Sequence, residues 1–384
     1  MSSSRNFLIT VGYLPLVALA GIVIILVILH QLGWINAWLF PLKHVSVFLI
    51  FGSVSCWIVA GIRKKPKQPS KKLLAHQQTK TAGIRWKIRL CWLLAILLFI
   101  VNGSAYLLAY QMTHVRVPGQ PGIGIPKPSN SSTPSDRGLP YTTHKIKISE
   151  SEWLETWLIP SQAAFSRGTV LLFPGNLGTK GSQLIAPAQS FATLGYDSML
   201  IDFQGVGGSS GNTVTIGIKE AQDVVAAFNY VQTLNINSPL ILYGVSMGSA
   251  AIMRAISVNK IKPDAVILEL PFSRLVNALR SRLKYHKIPA FLTAELLVLW
   301  GGLQHGFNGF SHNPIDFAKE LDCPALVIHG EQDKWTTVEE IKALFQNLPG
   351  SKQLVISPQA GHHQLIGVDR QLWDSTVKNF LNSL

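Results

Sequence analysis

The sequence predicts an α/β domain, a mostly parallel sheet flanked by helices, preceded by three membrane-spanning helices. Three observations carry that expectation. From about residue 142 short apolar runs alternate with stretches of helical period, as strands and crossover helices do. The first 114 residues hold three long uncharged apolar runs. Only 14% of the 384 residues are charged while 47% are hydrophobic, and a soluble domain usually carries about 25% charged residues.

The uncharged runs are residues 7–30, 45–62 and 90–110, with Lys43 shortening the second. About 20 helical residues cross a hydrocarbon core, so each run is read as a transmembrane helix in a membrane domain, residues 1–114. A cleaved leader would explain the first run alone. Twelve Lys and Arg and no acid fall within residues 1–114, which is +12 of the net +14. The basic excess is therefore a topology signal and implies no nucleic-acid-binding domain. Ten of those twelve lie between Arg63 and Arg89, a loop of the kind that stays cytoplasmic. The expectation is a multi-pass protein whose C-terminal domain is non-cytoplasmic: periplasmic, extracellular or lumenal.

Residues 115–141 contain six prolines and little periodic apolar pattern, which reads as a partly extended linker. Asn130-Ser131-Ser132 is formally a glycosylation acceptor, of little weight outside a eukaryotic secretory setting. Cys56, Cys91 and Cys323 are too few and scattered for a disulfide framework or a clustered zinc site.

Within residues 142–384 the segments Thr169–Phe173, Ser198–Asp202, Pro239–Tyr243, Ala265–Leu268, Ala325–His329 and Gln353–Ile356 read as short buried strands. Ile218–Val231 and Val338–Leu348 read as helices between them. Such alternation gives a parallel sheet covered on both faces.

Two stretches match G-x-S-x-G: Gly207 to Gly211, and Gly244 to Gly248. A nucleophile elbow needs a buried strand before the serine and a helix straight after it. Ser246 has both, Pro239–Tyr243 before and the Ala-rich Ser249–Ser257 after. Ser209 sits in a Gly/Ser-rich loop and reads as structural. A serine hydroxyl needs an imidazole to take its proton and a carboxylate to orient that imidazole. In such sheets the order is serine, acid, histidine. Asp333 follows the strand Ala325–His329, with Glu331 and Glu269 as competing acids. His362 follows Gln353–Ile356, with its neighbour His363 as competitor or pocket contact.

Residues 142–384 resemble the α/β-hydrolase superfamily, and within it the membrane-associated ABHD13- and BEM46-like branch. The resemblance rests on Phe173-Pro174-Gly175-Asn176, Asp202 to Gly207, Gly244 to Gly248, His329 to Asp333, and Gly361-His362. It implies Ser246 as nucleophile, Asp333 as acid and His362 as base, with the N–H groups of Met247 and Asn176 as the oxyanion hole. Pro174 stands where the family usually has His, and Gln204 where it usually has Arg. Proline lacks an N–H, but the implied donor is that of Asn176.

Residues 271–320 form an insertion where this superfamily often carries a cap. Phe272, Leu275, Val276, Leu279 and Leu283 recur at helical spacing. The opposite face carries Arg274, Arg280, Arg282, Lys284 and Lys287, with no acid before Glu295. That face is either simply solvated or a contact for anionic headgroups or an acidic substrate. Pro289 to Leu303, with Trp300, is apolar enough to line an acyl pocket or act as a lid. No metal-ligand spacing appears, and Gly175-Asn176-Leu177-Gly178 lacks the ending of a phosphate-binding loop. The expected activity is hydrolysis of an acyl ester or thioester, a lipid-like one favoured, with no cofactor and no obligatory protein partner. The alternatives are a serine-aminopeptidase-like peptidase and a catalytically silent membrane scaffold.

Overall fold

A computed structural model of the chain describes residues 74–119, 123–234 and 239–384. The spans expected at 7–30 and 45–62 lie outside the described residues. Within them, helix α1 covers Leu74–Thr113, and its stretch Arg89–Thr113 is long and apolar enough to cross a membrane. Among the described residues it is the one helix that meets this test. The span expected at 90–110 thus lies in a longer helix, and residues 74–89, expected in a loop, are helical. Lys and Arg are good helix formers, so a basic run does not by itself break a helix.

Eight strands form one sheet in the order β10-β9-β8-β7-β5-β6-β4-β3. Its parallel body is β5 (Thr169–Phe173), β6 (Asp197–Ile201), β7 (Leu240–Val245), β8 (Ala265–Glu269), β9 (Ala325–Gly330) and β10 (Lys352–Ser357). The six strands expected from apolar runs are these six. An edge hairpin, β3 (Thr142–Lys147) and β4 (Trp153–Ile159), adds antiparallel to β6.

Residues of β5 alternate between two cores. Leu171 and Phe173 join one, and Val170 and Leu172 the other. The first core is closed by α3 (Glu220–Thr233), α4 (Met247–Asn259) and α8 (Val338–Asn347). The second is closed by α2 (Ile185–Thr193) and α10 (Arg370–Leu381), the latter entered through the short α9 (Leu365–Val368). Burial on both faces is why the strands read as unbroken apolar runs. Between β8 and β9 the insertion folds as α5 (Leu275–Tyr285), α6 (Thr293–His305) and the short α7 (Pro314–Phe317).

The chain divides into two compact units, and the sheet belongs to the one built from Ala109–Gly119 and Gly124–Leu384. The stretch expected as a linker is a strap bound to this unit. It carries two two-residue strands, β1 (Val115–Arg116) and β2 (Ile125–Pro126), paired in parallel. The Gly207 N–H donates to the Pro128 carbonyl at 2.9 Å. The Asn130 side chain donates to Asp202 and accepts from the Gly181 N–H, at 2.9 and 2.8 Å. Both ends of its amide are engaged. Prolines remove donors but not acceptors, so a Pro-rich segment can still be bonded along its carbonyls.

Candidate active site

The turn from β7 into α4 places Ser246 at φ 50° and ψ −105°, a conformation that is strained for any residue with a Cβ. The turn is held from several sides. The Ser246 N–H donates to the Glu269 carbonyl at 2.8 Å, and the Ser249 hydroxyl donates to the Gly244 carbonyl at 2.6 Å. A Cβ on Gly248 would meet the Phe173 carbonyl oxygen at 2.5 Å, and one on Gly244 would meet the Gly248 carbonyl carbon at 2.6 Å. The two glycines let strand, turn and helix approach this closely.

Loops after β9 and β10 bring two further side chains to this serine. His362 Nε2 lies 3.0 Å from Ser246 Oγ, and His362 Nδ1 lies 2.6 Å from Asp333 Oδ2. An ionised carboxylate only accepts, so Nδ1 carries the proton and Nε2 presents its lone pair to the serine hydroxyl. Burial would raise the Asp333 carboxyl, but the hydrogen bond and charge of His362, the Trp335 amide and the nearby His329 together hold it below the ordinary carboxylate value. Trp335 N–H donates to Asp333 Oδ1 at 2.7 Å, and its ring lies 4.4 Å from the His362 ring.

The competing residues are otherwise occupied. Glu269, wholly buried, accepts from the Tyr243 hydroxyl at 2.5 Å, the Leu365 N–H at 2.6 Å and the Trp373 indole at 3.2 Å. Burial outweighs these bonds and raises its carboxyl. Glu331 is exposed. His363 is exposed too and lines a separate cleft with Ser131, Arg137 and Gln183. Ser209 is buried, accepting from the Glu155 N–H at 2.8 Å and donating to the Asp202 carbonyl at 2.6 Å. It is part of the scaffold.

Asn176 is exposed in a turn closed by the Gly178 N–H donating to the Gly175 carbonyl at 3.0 Å. The Gly175 N–H is taken by Gln183 Oε1 at 2.7 Å. Met247 opens α4, so its N–H is a first-turn amide with no carbonyl a turn before it. Pro174 is buried. The Gln204 N–H donates to Asp223 at 2.9 Å, and Gln204 Nε2 is buried with no partner among the described residues.

Asn176 also lines a cleft, open to solvent, between the sheet edge and the insertion. Its walls include Leu177, Ile216, Leu279, Leu297, Val298 and Phe307. The insertion's basic residues do not all share one face. Arg280 is bonded to Glu295, with Nε 2.9 Å from Oε1, and Arg274 pairs with Asp316 at 3.1 Å. Lys284 and Lys287 are exposed. Arg282 turns inward, lining the cleft with its guanidinium 4.5 Å from the Trp335 ring centroid. Helical spacing put the arginines on a common side, but the partners arrive from α6 and α7.

Lys180 has no sequence signal at all. Its side chain has no exposure, pairs with Asp202 and with Glu155 (2.8 Å), and lies 4.4 Å from the Trp157 ring centroid. Among the described residues no group of three or more His, Cys, Asp or Glu is arranged to hold a metal ion.

Residues 165–316 match the family model described as "Serine aminopeptidase, S33", and residues 311–383 match one described as "PhoPQ-activated pathogenicity-related protein". Zebrafish (Danio rerio) lysophosphatidylserine lipase ABHD12 is 25% identical over 317 residues, 72% of this chain and 77% of that protein. Protein bem46 of Schizosaccharomyces pombe is 23% identical over 259 residues, 66% of this chain and 82% of that protein. Among solved structures, the Pyrococcus furiosus esterase Pf2001 superposes with a TM-score of 0.58 at 23% identity, covering 67% of this chain and 96% of its own. That last likeness is one of fold.

Proposed function

The chain is an α/β-hydrolase of the ABHD- and BEM46-like branch, and from that premise we propose that it is a membrane-anchored serine hydrolase of lipid-like acyl esters or thioesters. The reading is carried by one observation: Ser246 Oγ, His362 and Asp333 form a hydrogen-bonded chain of 3.0 and 2.6 Å, and Asn176, which follows the Gly175 packed against Ser246, lines a largely apolar cleft.

In this reading Ser246 Oγ attacks the acyl carbonyl as its proton passes to His362 Nε2. The resulting imidazolium is stabilised by Asp333. The carbonyl oxygen becomes an oxyanion held by the Met247 and Asn176 amides. Collapse breaks the bond to the leaving alcohol or thiol, which takes the proton from Nε2. Water, activated by the same nitrogen, then cleaves the acyl-enzyme and returns the proton to Ser246.

An apolar cleft suits an acyl chain. The peptidase reading draws on the description of the matched family model. Binding a substrate ammonium calls for a carboxylate in the pocket, whereas the charged residue lining this cleft is Arg282. Ester hydrolysis is therefore preferred. Anchoring draws on Arg89–Thr113 together with the apolar runs at 7–30 and 45–62, and the basic excess orients the hydrolase domain away from the cytoplasm.

Fluorophosphonate labelling in membranes tests the chemistry. Labelling is expected for the wild type and Ser209→Ala and absent for Ser246→Ala; labelling retained in Ser246→Ala rejects the assignment. A reporter fused after Leu384 tests the topology, and activity confined to the cytoplasm would invert it.

A further inference from the structure

The oxyanion donor on the β5 side, the Asn176 N–H, belongs to a turn with little local structure to hold it. Asn176 is exposed, and Leu177 after it takes a left-handed φ of 56°, which side chains disfavour. Gly175 before it has no Cβ to restrict its backbone. Rotation of the peptide between Gly175 and Asn176 would put a carbonyl oxygen where a donor is needed.

Two hydrogen bonds fix that peptide and the one before it. The Gly178 N–H donates to the Gly175 carbonyl at 3.0 Å. That carbonyl and the Asn176 N–H are opposite ends of one planar trans peptide, so holding the first sets the direction of the second. On the other side of Gly175, its N–H donates to Gln183 Oε1 at 2.7 Å. The Gln183 amide also lies against Gly178, where an added Cβ would collide with Gln183 Oε1 and Cδ. One side chain therefore touches both glycines that close the turn. A Cβ on Gly175 would stand 3.4 Å from Gln183 Oε1 and 3.6 Å from Ser246 Cβ, so Gly175 is held between that amide and the nucleophile.

Gln183 is itself firmly carried. It lies in the wide helical turn Lys180–Leu184, where its N–H donates to the Thr179 carbonyl at 3.0 Å. The strap holds the same turn at Gly181, through the Asn130 side chain and through the Ser132 hydroxyl, which donates to the Gly181 carbonyl at 2.7 Å.

We propose that Gln183 is a positioning residue for acyl transfer: by holding the Gly175 N–H it aims the Asn176 amide at the developing oxyanion. The catalytic consequence rests on the serine-hydrolase reading above; the fixing of the turn does not.

The test uses the full-length protein in detergent micelles and two substitutions of similar length. Gln183→Met removes the acceptor, and Gln183→Glu keeps an oxygen in its place. With p-nitrophenyl octanoate, Gln183→Met should lower kcat by about 10- to 100-fold, part of the loss that follows removal of an oxyanion donor, with KM little changed. Gln183→Glu should recover most of that rate. Octylboronic acid, whose serine adduct is tetrahedral, should weaken in parallel with kcat in Gln183→Met. Hydrogen exchange of residues 174–179 needs no turnover. Gln183→Met should speed it by about 5- to 10-fold, the worth of one hydrogen bond, and Gln183→Glu should not. A kcat unchanged in Gln183→Met, an equal fall in both variants or a loss confined to KM overturns the proposal. If the wild type turns over no ester but exchange rises in Gln183→Met alone, the hydrolase reading fails and the fixing of the turn by Gln183 stands; exchange equal in all three proteins removes it.

Discussion

His362 Nδ1 lies 2.6 Å from Asp333 Oδ2, and the carboxylate that holds it is itself fixed by backbone amides, Trp335 at 2.7 Å and Thr336 at 3.3 Å. The acid cannot swing away without abandoning those donors. Asp333→Asn can turn an amide N–H toward Nδ1, which moves the imidazole proton to Nε2 and leaves the serine facing a donor. The rate of fluorophosphonate labelling should fall by roughly 10²- to 10⁴-fold, with the melting temperature changed far less. A labelling rate within threefold of wild type would remove Asp333 from the mechanism.

The elbow tolerates no added atom at Gly248. Its new methyl would press on the Phe173 and Pro174 carbonyl oxygens at 2.5 and 2.8 Å, and both belong to backbone that cannot rotate aside. Gly248→Ala should cost about 1–3 kcal/mol or more, read as a shifted urea midpoint, and should suppress labelling of Ser246. The exposed Gly367, where a Cβ meets nothing within 4 Å, serves as the control and should change neither.

Lys180 and Asp202 form an ion pair with no solvent exposure on either side chain. Asp202 also accepts from the Asn130 side chain and the Gly208 N–H. Removing the Asp202 charge leaves the buried Lys180 with Glu155 alone, so Asp202→Asn should cost up to about 3–5 kcal/mol. The double substitution Lys180→Met with Asp202→Leu should recover part of that loss. Denaturation of the three variants side by side checks the order; a double variant less stable than Asp202→Asn would contradict it.

His312 anchors the insertion. It has no exposure, with Nε2 3.0 Å from the Ile216 carbonyl and Nδ1 unpartnered among the described residues. Burial, with Arg254 nearby, pushes its pKa down to about 3, whereas an unfolded histidine titrates near 6.5. Between those values the unfolded chain binds a proton that the folded chain refuses. Stability is therefore fully present above about pH 6.5 and falls as the pH drops, by about 1.4 kcal/mol per pH unit. The difference in melting temperature between wild type and His312→Gln should narrow as pH falls from 6.5 to 5. A constant difference would mean that His312 takes its proton in the fold.

The parallel body of the sheet was legible because its strands are buried on both faces and so contain nothing polar to break the run. The edge hairpin was not: β3 is Thr-Thr-His-Lys-Ile-Lys, with one buried residue in six, and its polarity conceals it. The places of Ser246, Asp333 and His362 could be read because each follows a strand of that body. Lys180 could not, since a lysine's burial depends on Asp202 and Glu155, which meet it only in three dimensions. Trp335 and Arg282 were unreadable for the same reason, their contact joining the loop after β9 to a helix of the insertion. The strap is not legible because its bonds run to loops about 50 to 100 residues ahead.

Glu269 receives two of its three donors, the Leu365 amide and the Trp373 indole, from the last twenty residues of the sequence. A chain cut just after His362 keeps Ser246, Asp333 and His362, yet the carboxyl beneath the elbow then has Tyr243 alone to satisfy it. Such a chain holds a poorly compensated acid under its sharpest turn, so α9 and α10 are part of what sets Ser246 in place.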